Sequence, residues 1–180
     1  MRWFHYSAHG AGKLTGPAFS GSFIVDQKQL ELPYGRYGSA AAGCGWIAVY
    51  NALQILGIDA DMEKIRSDME KLLFLGGWRA TPFYVPALYF RHKGFRVRLT
   101  ANRSQFSRQA RKYPAGILFY LYHQKGKIFP SGHFAAFAPT SDGQCHFYND
   151  IPGMSADIRS MKQFFEDRPA FFMVLTSLER

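Results

Sequence analysis

Cysteine is scarce in this chain: 180 residues hold only Cys44 and Cys145. Two thiols make no disulfide framework, and cytosolic thiols stay reduced. Long apolar runs are also missing. No segment is long enough to span a membrane as a helix. The opening MRWFHYSAHGAGKLTG lacks the apolar core of a secretory signal. The expectation is a cytoplasmic protein. Acid is short as well, with 13 Asp and Glu against 22 Lys and Arg and a formal net charge of +9. The shortage is sharpest where Arg91, Lys93, Arg96, Arg98, Arg103, Arg108, Arg111 and Lys112 meet no acid. Such a stretch is a solvated face or a dock for an anionic partner. Nucleic acid, a membrane surface or an anionic wall polymer would each suit it. No nucleic-acid fold motif favours the first of these, and there is no internal repeat or low-complexity segment.

What is present is globular. Apolar residues make up 47% of the chain, aromatics 17% and charged residues 19%. The length suits one domain over residues 1–180, with a real core. Residues 1–43, rich in Gly, Ser and Pro, read as an irregular arm with a short strand at Phe23-Ile24-Val25. Residues 44–113 are mainly helical. A first helix from Cys44 to Leu56 is apolar nearly all round, with only Asn51 and Gln54 polar, so it belongs inside the domain. A second follows Asp59 or Asp61 as cap, and a third runs from Val85 to His92. FRVRLT alternates as a half-exposed strand, and SQFSRQARKY is a short helix. Residues 114–180 are mainly sheet. GILFYLYH, HFAAFAPT, QCHFYND and AFFMVLTSL read as strands, with a helix near SADIRSMKQFFED. The order predicts an α+β fold, with helices packed on a mostly antiparallel sheet.

Cys44 lies between Gly43 and Gly45 at the start of the most apolar helix. A thiol attacks as thiolate, and free cysteine has a pKa of about 8.5. Helix amides favour the anion by about 1 kcal/mol. A fully activated thiol needs several times that, so a partner base is required. Gly43 permits a tight approach of the backbone, Gly45 leaves room for substrate, and the Cys44 N–H can donate to an oxyanion. The competing reading is a small buried hydrophobe.

Six histidines are available: His5, His9, His92, His123, His133 and His146. His133 opens a strand after Pro130-Ser131-Gly132 and is the leading base. His123 is second, and His146 is mid-strand and structural. His5 and His9 are spaced i, i+4, but Gly10 and Gly12 spoil the helix a metal pair would need. Asp142-Gly143 signals a hairpin. A two-residue turn there places Asp150 opposite Ala135, on the face of His133, with Asn149 pointing away. A three-residue loop swaps the two. Asp150 is thus the candidate orienter of the imidazole and Asn149 the alternative third member.

Cys44-Gly45 opening an apolar helix, His133 beginning a hydrophobic strand and Asp150 ending the next one resemble the papain-like cysteine peptidase superfamily. The similarity is greatest to its bacterial C39-like branch, over roughly residues 38–152, with the Pro of YNDIP one residue late. The resemblance implies a papain-like fold whose buried N-terminal helix carries the Cys, a Cys-His-Asp triad, a thioester intermediate and no cofactor. The family carries a Gln about six residues before the Cys as oxyanion donor. This chain has Gly38 there, flanked by Tyr37 and Ser39, with Gln27 and Gln29 far back. Losing such a donor costs ~10²–10³ in turnover. Tyr37, Ser39 and the Cys44 N–H are the substitute candidates. Three functions follow: a cysteine peptidase or amidase, with acyl transfer on the same triad; an inactive peptide-binding or scaffold protein; and a nucleic-acid binder with salt-dependent association.

Overall fold

The computed structural model describes residues 16–74, 81–123, 126, 128–150, 157–167 and 170–180. His5 and His9 lie outside them. Among the described residues of the arm a hairpin comes first, β1 (Phe19–Ser20) and β2 (Phe23–Ile24), turned at Gly21, whose φ of 60° suits glycine. Asp26 then caps a 3-10 turn over Gln27–Gln29. The arm is less irregular than its composition suggests. It ends in a one-turn helix, α1 (Ser39–Ala42), which runs through Gly43 into α2 (Cys44–Ile55).

All of α2 from Cys44 to Leu53 is buried. Its polar Asn51 survives in the core because both ends of its amide are paired. Nδ2 donates to Ile24 O at 2.7 Å, and Oδ1 accepts from Ile24 N at 2.9 Å. One side chain thereby stitches β2 to the central helix, as buried polar groups require. The next helix, α3 (Met62–Glu70), is capped by Asp61, whose Oδ1 accepts from Lys64 N at 3.0 Å. It buries Met62, Ile65 and Met69, one helical stripe. Then come α4 (Val85–His92), β3 (Arg96–Thr100) and α5 (Phe106–Lys112). The chain closes with β4 (Ala115–Tyr122), β5 (Ser131–Pro139), β6 (Cys145–Tyr148), β7 (Asp157–Arg159), α6 (Met161–Asp167) and β8 (Ala170–Glu179).

Six of these strands form one sheet in the order β3-β8-β4-β5-β6-β7, and every neighbouring pair is antiparallel. The fold is therefore α+β, with helices on an antiparallel sheet. Both faces are covered. Ile117, Phe119, Phe134 and Ala136 join the core under α2, whereas Leu118, Tyr120, Ala135 and Phe137 join the one under α5 and α6. Each large apolar side chain buried in these layers contributes roughly 1.5–3 kcal/mol.

Two expectations are corrected. Residues 157–159 form a strand rather than the start of a helix, because they ladder on β6. The helix starts only after Ser160, whose Oγ accepts from Gln163 N at 3.2 Å. The β5–β6 register is also one residue off the two-residue-turn pairing. Ala136 pairs with Tyr148 and Pro139 with Cys145. Thr140 N donates to Gln144 O at 3.0 Å, which leaves a three-residue loop, and Gly143 at φ 81° supplies its left-handed position.

Candidate functional site

Cys44 is only 5% exposed, at the junction of α1 and α2. Its sulfur faces the backbone N–H groups of Phe134, of Gly45 and of Cys44 itself. Burial nevertheless dominates and pushes the thiol up to about 11, with those three amides pulling the other way. The resting group is a neutral thiol. Gly43 is bare because a Cβ there would lie 2.5 Å from Ser39 O and 2.8 Å from Trp46 Nε1. Gly45 was expected to leave room for substrate. That space is occupied, since a Cβ would lie 2.5 Å from Thr81 Oγ1.

The Phe134 amide brings Cys44 to the residue next to His133. The thiol meets β5 from the α2 side. The imidazole stands beside its cross-strand partner Tyr120, at 5.6 Å between ring centroids. His133 Nε2 lies 2.6 Å from Asn149 O. A carbonyl can only accept, so Nε2 carries the proton and Nδ1 is the lone-pair nitrogen of the neutral ring. Asn149 stands just past β6 with a φ of 59°. Its amide is spent on the arm: Oδ1 accepts from Gln27 N at 2.9 Å, and Nδ2 donates to Gln27 Oε1 at 3.0 Å. Gln27 Nε2 in turn donates to Ala40 O at 3.1 Å.

Asp150 reaches the Tyr120 face by a different route from the one expected. The observed register would turn it away, but the left-handed backbone at Asn149 ends the alternation. Its side chain is fully buried, and Oδ1 accepts from Tyr120 Oη at 2.7 Å. Oδ2 lies 4.0 Å from Arg159 Nη2. Arg159 Nε also donates to Asp157 at 2.6 Å, and its Nη1 reaches Asp167 at 3.0 Å. Burial raises the Asp157 carboxyl above the usual range; Arg159 lowers it and Asp150 raises it further. Tyr120 therefore stands between the carboxylate and the imidazole, touching both.

The substitute oxyanion donors differ in placement. Tyr37 is more than half exposed, at 55%. Ser39 is fully buried, and its Oγ accepts from Trp46 Nε1 at 3.2 Å. Gly38 has φ 75° and ψ 166°, a conformation that side chains avoid. The glutamine missing from this position would be strained there. The hydroxyls the sequence reading missed are Tyr34 and Thr81, 3.2 Å apart and both buried. Burial raises the Tyr34 hydroxyl, the bond to Thr81 lowers it, and a charge on Cys44 would raise it again. No local spacing could have found them, because they meet across 47 residues of sequence, with Thr81 packed against Gly45.

The other histidines stand elsewhere. His146 stacks on Tyr148 at 4.3 Å, His123 stacks on Phe171 at 5.0 Å, and His92 is exposed at the end of α4. Cys145 is buried in the opposite core layer and unbridged. All eight cations from Arg91 to Lys112 are exposed, and none has a carboxylate within 4.0 Å among the described residues. No helix among the described residues is long and apolar enough to cross a membrane. No family model matches the chain, and no curated protein matches it.

Proposed function

We propose that this chain is a papain-like cysteine hydrolase, of the bacterial C39-like kind, that cleaves a peptide or amide bond through a thioester on Cys44. The observation that carries the reading is the amide of Phe134 on the Cys44 sulfur, which joins the helix start to the His133 segment. Cys44 Sγ attacks the substrate carbonyl, and its proton passes to His133 as the C–S bond forms. His133 then protonates the leaving amine as the C–N bond breaks, and water hydrolyses the thioester. An amine in place of water would make the same step an acyl transfer. Because the resting thiol is neutral, proton removal accompanies attack rather than preceding it. Asn149 O orients the imidazole, and Asp150 acts at one remove through Tyr120. The exposed cations from Arg91 to Lys112 suit a substrate or partner that is anionic.

A second reading is a papain-like domain that binds peptides without cleaving them. The burial of Cys44 and the occupied space over Gly45 favour it. The pH dependence of Cys44 alkylation by iodoacetamide separates the two, with Cys145→Ser in every sample. A hydrolase site gives alkylation at neutral pH faster than a thiol of pKa about 11 allows, and His133→Ala slows it at least tenfold. A rate that simply tracks a thiol near 11, indifferent to His133→Ala, leaves the binding module standing.

A further inference from the structure

The geometry points to Gln27 and Asn149 as positioning residues that hold His133 in one tautomer. This rests on the reading of His133 as the base. The orienting atom is a backbone carbonyl, Asn149 O, at 2.6 Å from Nε2. A carbonyl aims well only if its peptide is held, and this one follows a strand end in the left-handed region, at φ 59°. What holds it is the asparagine's own amide. Both of its ends are bonded to Gln27, at 2.9 and 3.0 Å, across 122 residues of sequence. Gln27 is fixed in turn by Ala40 O, four residues before the thiol, at 3.1 Å. Asp26 fixes the turn that carries Gln27, accepting from Lys28 N at 3.0 Å. The path from the arm to the imidazole is therefore an unbroken series of short hydrogen bonds. One glutamine touches both the segment before Cys44 and the residue that orients His133. The arm is then a structural part of the site.

The readout is the tautomer of His133, from its ring nitrogen shifts in the full-length protein above the imidazole pKa. Wild type gives one Nε2–H tautomer. Asn149→Gly keeps the backbone conformation and the carbonyl but removes the amide, and averages the two tautomers. Gln27→Ala leaves the Gln27 N–H bond and averages them partly. Gln27→Glu keeps an oxygen for Asn149 Nδ2 but loses the donor to Ala40 O, and averages the tautomers no more than Gln27→Ala does. Thermal melts show that each variant is folded. A single Nε2–H tautomer in Asn149→Gly and Gln27→Ala, or an Nδ1–H tautomer in wild type, overturns the clamp. Alkylation of Cys44 is followed in the same variants and should slow about three- to tenfold at neutral pH. If His133→Ala leaves alkylation unchanged while the tautomers shift as expected, the hydrolase reading fails and the clamp stands. If His133→Ala slows alkylation while the tautomers do not shift, the reverse holds.

Discussion

Cys44 and Cys145 are both buried, at 5% and 1% exposure, and burial raises both thiols, to about 11 and about 12. Their surroundings differ in kind. Cys145 opens β6 in the layer under α5 and α6, and only the charge of Arg111 pulls its pKa down. Cys44 opens a helix, and three backbone N–H groups face its sulfur. Burial alone makes either thiol inert in the ground state. Fixed donors aimed at the sulfur are what allow charge to develop there when a proton acceptor takes the hydrogen. What separates Cys44 from Cys145 is therefore the donor set, not a depressed pKa at rest.

The largest test of that contrast is substitution by serine. Cys44→Ser should abolish turnover of a peptide, amide or thioester panel, by on the order of 10³-fold or more, whereas Cys145→Ser should change it less than about twofold. Equal losses would erase the distinction. The next effect falls on Arg159, which pairs with Cys145 across β6–β7 and also faces Asp150. Arg159→Ala strands Asp150 and Asp157 without their cation and should cost ~3–5 kcal/mol in urea unfolding at neutral pH. The loss should shrink at acid pH as Asp157, raised by burial, takes up its proton.

Alkaline unfolding sharpens the comparison further. A thiol raised in the folded state contributes stability that is fully present below the free-thiol pKa of about 8.5 and lost as pH rises through the folded value. Cys44 should account for ~3 kcal/mol lost by about pH 11, and Cys145 for ~4 kcal/mol lost by about pH 12. Cys44→Ala should reduce the slope only up to about pH 11, and Cys145→Ala over the whole span to about 12. Coincident curves would mean that the two environments are alike. The smallest effect is at Gly38. Gly38→Gln introduces the amide that the papain-like resemblance would put there but forces a side chain to φ 75°, costing ~1–3 kcal/mol and giving no gain in turnover of the same panel. A gain in turnover would show that the backbone there can relax.

Most elements were legible because their patterns are local. The all-apolar run of α2, a cap at Asp59 or Asp61 and the alternation in β3 each report a neighbour a few residues away. Residues 157–159 were not legible, because a three-residue strand exists only through the ladder it joins. The hairpin turn was recognised at Asp142-Gly143, but its length was not. A single added loop residue shifted the register and would have turned Asp150 away had Asn149 not broken the strand. Gln27 lies too far before Cys44 to match the expected oxyanion position, and nothing local in the chain shows its approach to Asn149.

By itself, then, the sequence determined the helix that starts at Cys44, the strand that carries His133, though it begins at Ser131 and not at the histidine, and the α+β order of elements. Those follow from side-chain periodicity and turn chemistry within short windows. Only the tertiary structure decided that Asn149 O meets the imidazole, that Thr81, bonded to Tyr34, fills the space over Gly45, and that Gln27 ties the arm to Asn149 and to Ala40. These are contacts between segments up to 122 residues apart, and their geometry is set by loop length and one left-handed residue, neither of which leaves a periodic trace in the chain.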